Sequence, residues 1–234
     1  MYKFDIYKRI YMISVSITAI VVYFTWHATR QINLATIEST LLNMAINMGI
    51  NFITAYGFFK FCVNGLVSLG NTSWGRKLIL RSSCIEGVWV GYSYLKDSKA
   101  GGKQVMFTIE WIEQSLDSFF IIGVSYNEAG EMRSFWNTVD LVKMDISKRS
   151  LDYVYSSNNF ERDDSSFGIA HFRYLKAKKK SSKKMIGFTE NLANEKEMLA
   201  RAVQIPKVDA HSLSQKELLE KARKFFEEEE IVQP

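Results

Sequence analysis

Apolar and polar positions divide the chain into three regimes. Ile10 to Trp26 runs without a charge, and at about 1.5 Å per helical residue it is long enough for a thin hydrocarbon core. A second apolar run extends from Leu41 to Phe59 and on past Lys60 to Leu69, with the lysine placed to snorkel. No small-x-small cleavage site follows the first run and the second begins soon after, which argues against a cleaved leader. Residues 1–70 therefore read as a two-helix transmembrane hairpin, and residues 71–84 as a linker. Asn71 or Ser73 is positioned to cap a short helix in that linker, but Gly75 weakens it, and Leu78 to Leu80 read alternatively as a first strand.

From Glu86 the pattern changes to closely spaced strand-like runs. The stretch Glu86-Gly-Val-Trp-Val-Gly-Tyr-Ser-Tyr94 opens them, its β-branched and aromatic residues interleaved with Gly87 and Gly91. Seven strands are expected: Ile85–Leu95, Lys103–Glu113, Ser118–Tyr126, Met132–Asp145, Leu151–Ser157, Phe167–Lys176 and Lys184–Asn191. Turn residues break them at Asp97–Gly102, Ser115–Asp117, Asn127–Gly130 and Asn158–Ser166. Such short connections leave no room for crossover helices, so the pairing is antiparallel and sequential. Seven to eight strands of this kind close into a small antiparallel β-barrel over residues 85–193. Residues 194–234 read as a C-terminal helical tail: Asn194 caps a helix over Glu195–Val203, and Ser214 caps Gln215–Glu229. Leu218, Leu219, Ala222, Phe225 and Phe226 make the second of these amphipathic.

Strand parity separates the faces without saying which is inside. Val105, Phe107, Ile109 and Trp111 form a dry face opposite Met106, Thr108, Glu110 and Ile112. Ser134, Trp136, Thr138 and Asp140 share a side, as do Tyr153 and Tyr155, and as do Ile169, His171 and Arg173. In the second apolar run, Asn43, Asn47, Asn51 and Thr54 fall on one helical face. Unpaired amides facing lipid are costly, so this stripe serves either as glue to Ser14, Ser16 or Thr18 of the first span, or as a self-association face between copies.

Charge sets the expected orientation. Lys3, Lys8 and Arg9 precede the first span and Arg76, Lys77 and Arg81 follow the second, whereas the connection carries Arg30 alone. The positive-inside rule then places both termini, and the β-rich part, in the cytoplasm. The basic run Lys176–Lys184 reads as a solvated hairpin loop or a contact for anionic lipid; no DNA- or RNA-binding motif accompanies it. Cys62 and Cys84 form no metal or disulfide framework, and His27, His171 and His211 are scattered. No Gly-x-Ser-x-Gly elbow, P-loop or dinucleotide fingerprint is present, so no catalytic residue, metal or cofactor is expected, and the chain reads as a sensor or scaffold.

Two spans, a cytoplasmic orientation and a compact barrel opening with Gly87-Val-Trp89-Val-Gly91-Tyr-Ser-Tyr94 resemble the two-transmembrane β-barrel effectors of bacterial CBASS anti-phage systems. The resemblance covers residues 1 to about 193 by architecture, and Gly-x-Trp-x-Gly-x-Tyr is shared with lipocalins and fatty-acid-binding barrels. It implies an inner-membrane, multi-pass protein partnered by a cGAS-like nucleotidyltransferase. The barrel would bind a cyclic di- or trinucleotide, whereupon homo-oligomerisation drives the spans to disrupt the membrane. Such a ligand needs aromatic faces for its bases and cations for its phosphates. Trp136, Tyr153 and Tyr155 are the stacking candidates, Arg133 and Arg173 the phosphate candidates, and Thr138 a hydrogen-bonding candidate. A membrane-tethered lipid or fatty-acid carrier and a ligand-free structural adaptor are the alternatives.

Overall fold

The computed structural model describes residues 2–31, 40–95, 105–116, 118–145, 147–160, 164–175, 183–192, 196–206 and 212–231. It comprises a helical unit over Phe4–Ile79 and a barrel unit from Leu80 onward.

In the helical unit, α1 spans Tyr2–Gln31 and α2 spans Thr40–Gly70. Within them, Ile6–Ala28 and Met48–Gly70 are each 23 residues, long and apolar enough to cross a membrane. Phe24, Phe52 and Phe61 are 65%, 75% and 72% exposed, a burden that water would penalise and hydrocarbon would not. Tyr11 of α1 stacks on Phe59 of α2 with ring centroids 6.2 Å apart. Ser14 and Thr18, one turn apart on α1, are buried with hydroxyls that have no partner among the described residues. Ser16 instead is exposed and donates back to the Met12 carbonyl at 2.9 Å. All four residues of the polar stripe lie on α2; Asn51 is half-buried and Thr54 exposed, while the side chains of Asn43 and Asn47 lie outside the described residues.

The expected linker is helical over most of its length. α3 covers Ser73–Leu80, and a 3₁₀ turn follows at Arg81–Ser83. Its cap is Thr72, whose hydroxyl accepts from the Gly75 N–H at 3.0 Å, in place of the expected Asn71 or Ser73. Gly75 is needed there because a Cβ would lie 1.8 Å from the Leu69 carbonyl oxygen. Close packing of the preceding chain thus outweighs the propensity cost of glycine.

The barrel unit contains eight strands: β1 Gly87–Leu95, β2 Val105–Gln114, β3 Phe119–Tyr126, β4 Met132–Asp145, β5 Ser150–Asn159, β6 Asp164–Tyr174, β7 Lys184–Asn191 and β8 Lys196–Gln204. They pair antiparallel in chain order, and β8 closes the barrel against β1. Side-chain hydrogen bonds close the chain at two of the expected breaks. Asn127 Oδ1 accepts from the Glu131 N–H at 2.8 Å, and Ser115 Oγ accepts from the Ser118 N–H at 2.8 Å. Asp97–Gly102 lies outside the described residues, as do positions 161–163 and 176–182.

β8 corrects the expectation of a helix over Glu195–Val203. Lys196 to Ala202 is composed of good helix formers, but β1 and β7 each present an open edge that only a strand between them can satisfy. Tertiary pairing therefore overrides propensity. The barrel runs to Gln204, beyond the expected boundary at 193. The second expected helix is present as α4, Gln215–Ile231. A capping box opens it, with the Ser214 N–H donating to Glu217 Oε2 at 2.7 Å.

α4 also decides which barrel face is inside. Leu218, Leu219, Ala222 and Phe225 bury themselves against Val90, Tyr92, Val105, Phe107 and Ile109. The dry face of β2 is consequently the outer wall under the helix, and Met106, Thr108 and Glu110 point inward. The helix is anchored at its far end by Glu229, which accepts from Arg201 at 2.8 Å and Lys184 at 2.5 Å. Burial raises the Glu229 carboxyl, but the hydrogen bonds and charges of Lys184 and Arg201 outweigh it and hold the group below its ordinary value.

Candidate ligand cavity

The end of the barrel at which the chain enters is plugged. Trp89 is fully buried there and donates its indole N–H to the Ile85 carbonyl at 2.8 Å. Gln114 ties down the entering chain, accepting from the Ile85 N–H at 2.8 Å and donating to the Ser83 carbonyl at 3.0 Å. Tyr174 donates to Ser83 Oγ at 2.9 Å. Ile121, Met144 and Leu151 fill the remaining floor.

Above this floor the barrel is hollow, with a cavity of about 480 Å³. It is hollow because many inward positions carry small side chains or none: Ser93, Ser125, Ser134, Ser157, Ala200 and Ala202 line it. Gly123 and Gly168 serve a further purpose. A Cβ at Gly123 would lie 2.1 Å from Cε2 of Trp136, and one at Gly168 would lie 2.2 Å from Cζ of Tyr155. Each glycine faces its aromatic across the ladder, Gly123 opposite Trp136 and Gly168 opposite Tyr155. The rings therefore lie down on the wall and leave the lumen open.

Trp136, Tyr153 and Phe172 form a run of near-parallel rings. The first pair has centroids 5.9 Å apart at 10°, and the second 6.1 Å apart at 11°. Tyr155 leans against the end of this run, 5.7 Å from Trp136 at 60°. Burial raises the Tyr153 hydroxyl well above its ordinary pKa, and the adjacent Glu110 carboxylate adds to the effect. Tyr155 is raised by burial as well, less so because it is hydrogen-bonded to Thr189.

Glu110 is the chemically unusual member. The residue is 5% exposed, its side chain lines the cavity, and its Oε2 has no hydrogen-bond partner among the described residues. Desolvation alone pushes it up to about 7. The ladder register sets Trp89, Glu110, Gly123 and Trp136 in one cross-strand row, so the acid stands between the indole of the floor and the indole of the wall.

The expected ligand residues separate accordingly. Trp136, Tyr153 and Tyr155 come together on the cavity wall. Thr138 is buried deeper, its hydroxyl accepting from the Ile121 N–H at 3.1 Å, so it secures the wall. Arg133 and Arg173 do not line the cavity, and each has the parity opposite to inward neighbours, Ser134 and Phe172 respectively. Arg133 lies 3.6 Å from Glu131, and Arg173 borders an outer groove with Lys148 and Arg149. The β6 set Ile169, His171 and Arg173 is thus an outer face, where His171 Nδ1 lies 3.0 Å from Asp152. Arg201 contributes to the cavity wall, but its guanidinium is bonded to Glu229 of α4. Asp140 has its side chain outside the described residues. Sequence reading passed over Glu110, although its place beside Thr108 on the strand face opposite the dry one was visible.

Among protein-family models and curated proteins, none matches this chain.

Proposed function

We propose that this chain is a membrane-anchored receptor whose barrel takes up a cyclic nucleotide second messenger, with the two apolar helices executing the response. The observation that carries this reading is the open lumen walled by the Trp136–Tyr153–Phe172 rings, a volume within the range of roughly 300–1,000 Å³ typical of ligand sites. Flat aromatic surfaces suit flat heterocycles, and the ring of serine and asparagine side chains toward the mouth suits sugar hydroxyls. Phosphates belong at the mouth, in contact with water, because the carboxyl of Glu110 would repel them deeper in.

The response follows the CBASS-type pattern: ligand-bound copies associate through α2 and breach a bacterial inner membrane, arresting the infected cell. The Asn43, Asn47, Asn51 and Thr54 stripe is the proposed association face. A fatty-acid carrier fits less well, since an acyl chain would leave the Glu110 carboxyl desolvated without a partner. The test is thermal stability of the full chain in lipid nanodiscs with cyclic dinucleotides, cyclic trinucleotides or fatty acids added. Stabilisation by at least one cyclic nucleotide supports the receptor reading; stabilisation by fatty acids alone overturns it.

A further inference from the structure

Resting on the receptor reading, we infer that Glu110 is the specificity element of the cavity and reads a guanine-type edge, the ring N–H beside an exocyclic amine. A carboxylate has two acceptor oxygens spaced for two parallel donors, and that pair of donors is what such an edge offers. Three independent observations meet at this residue. Its side chain lines the open lumen while its Oε2 is buried and has no partner among the described residues, an arrangement that needs an explanation in a closed barrel. The rings beside it run near-parallel as a wall and do not box a point, which fits a plane better than a compact cation. Its cross-strand neighbour is Gly123, whose missing Cβ lets the Trp136 indole lie flat on the wall in the same cross-strand row, a stacking face next to the carboxyl.

Adenine presents an amine next to a bare ring nitrogen, so it would set a lone pair against a carboxylate oxygen. Uracil offers one ring N–H between two carbonyls and meets the same repulsion. Glu110 thereby selects by leaving wrong edges unpaired, the strongest means a buried polar group has of discriminating. The donor pair is common to guanine nucleotides and reduced pterins, and the sugar-phosphate of the former separates them.

The experiment is equilibrium binding to the full chain in nanodiscs, with cyclic di-GMP, cyclic di-AMP, cyclic di-UMP, tetrahydrobiopterin and choline as probes. Wild type should prefer cyclic di-GMP over cyclic di-AMP by roughly 10- to 100-fold, the discrimination a bidentate contact gives. Glu110→Gln should lose that preference and gain cyclic di-AMP, because a glutamine amide matches the adenine edge. A gain of affinity cannot come from misfolding, so the variant is informative whatever its stability. Preference for cyclic di-AMP or cyclic di-UMP in wild type, or a preference unmoved by Glu110→Gln, overturns the inference while leaving the receptor reading intact. Binding of tetrahydrobiopterin without cyclic di-GMP keeps the edge but overturns the nucleotide reading. Binding of choline alone overturns both.

Discussion

Replacing Glu110 by glutamine should make the free protein more stable, and increasingly so as pH rises. The folded barrel holds this carboxyl at about 7 against an ordinary value of 4.5. Between those values the folded state keeps a proton that the unfolded chain releases, so rising pH favours unfolding; above the folded value the loss is complete and constant. At about 1.4 kcal/mol for each tenfold shift in proton affinity, the cost of the buried carboxylate reaches roughly 3 kcal/mol near pH 8. Glutamine has nearly the same shape and carries no charge, so the variant should match wild type near pH 4.5 and exceed it by about that amount at pH 8. Urea unfolding of the full chain in nanodiscs, followed by fluorescence of the buried Trp89 and the cavity-wall Trp136, reads the difference directly. Taking the difference between two proteins cancels the other titrating groups, including Glu229, whose depressed value stabilises in the opposite direction. Two stability curves that run parallel from pH 4.5 to 8 would refute the claim that Glu110 is a desolvated, unpartnered acid.

Gly123→Leu should push the Trp136 indole off the wall into the lumen, since even a Cβ would sit 2.1 Å from the ring; loss of ligand-induced stabilisation and a shifted tryptophan emission would show it. Phe225→Ala should cost about 3–5 kcal/mol in denaturant unfolding, because the ring is buried between α4 and the outer wall. Thr72→Ala should weaken α3 by about 1 kcal/mol, seen as faster amide exchange over Ser73–Leu80. Asn47→Leu combined with Asn51→Leu should leave ligand binding intact but abolish toxicity in cells; unchanged toxicity would assign those amides to packing within one hairpin.

Much of the architecture could be read from alternation and turn residues, because a half-buried strand and its turn leave local marks. The apolar runs, seven of the strands and α4 are of this kind. β8 left no such mark: Lys196-Glu-Met-Leu-Ala-Arg-Ala-Val satisfies local helical preference, and its strand state comes from two edges far away in sequence. Inside and outside were equally hidden, since α4 gives the outer wall of β1 and β2 a second apolar layer that mimics a core. The useful signal lay elsewhere. Gly91, Ser93, Gly123, Ser125, Gly168, Ala170, Ala200 and Ala202 all fall on the inward parity of their strands, and small residues on one face mark a lumen. The aromatic members of the site were legible from strand alternation, which sets Trp136 on one side with Ser134 and Thr138, and Tyr153 on one side with Tyr155. Arg133 and Arg173 were chosen by ligand chemistry, without a geometric constraint, and parity places both outside.

The most direct test of a hollow receptor barrel is calorimetric titration of the full chain with cyclic di-GMP, beside a Ser157→Trp variant that fills the lumen opposite Trp136. The account predicts saturable binding to wild type and none to the filled variant, with both equally folded by circular dichroism. Equal binding to both would place the ligand outside the barrel and contradict it.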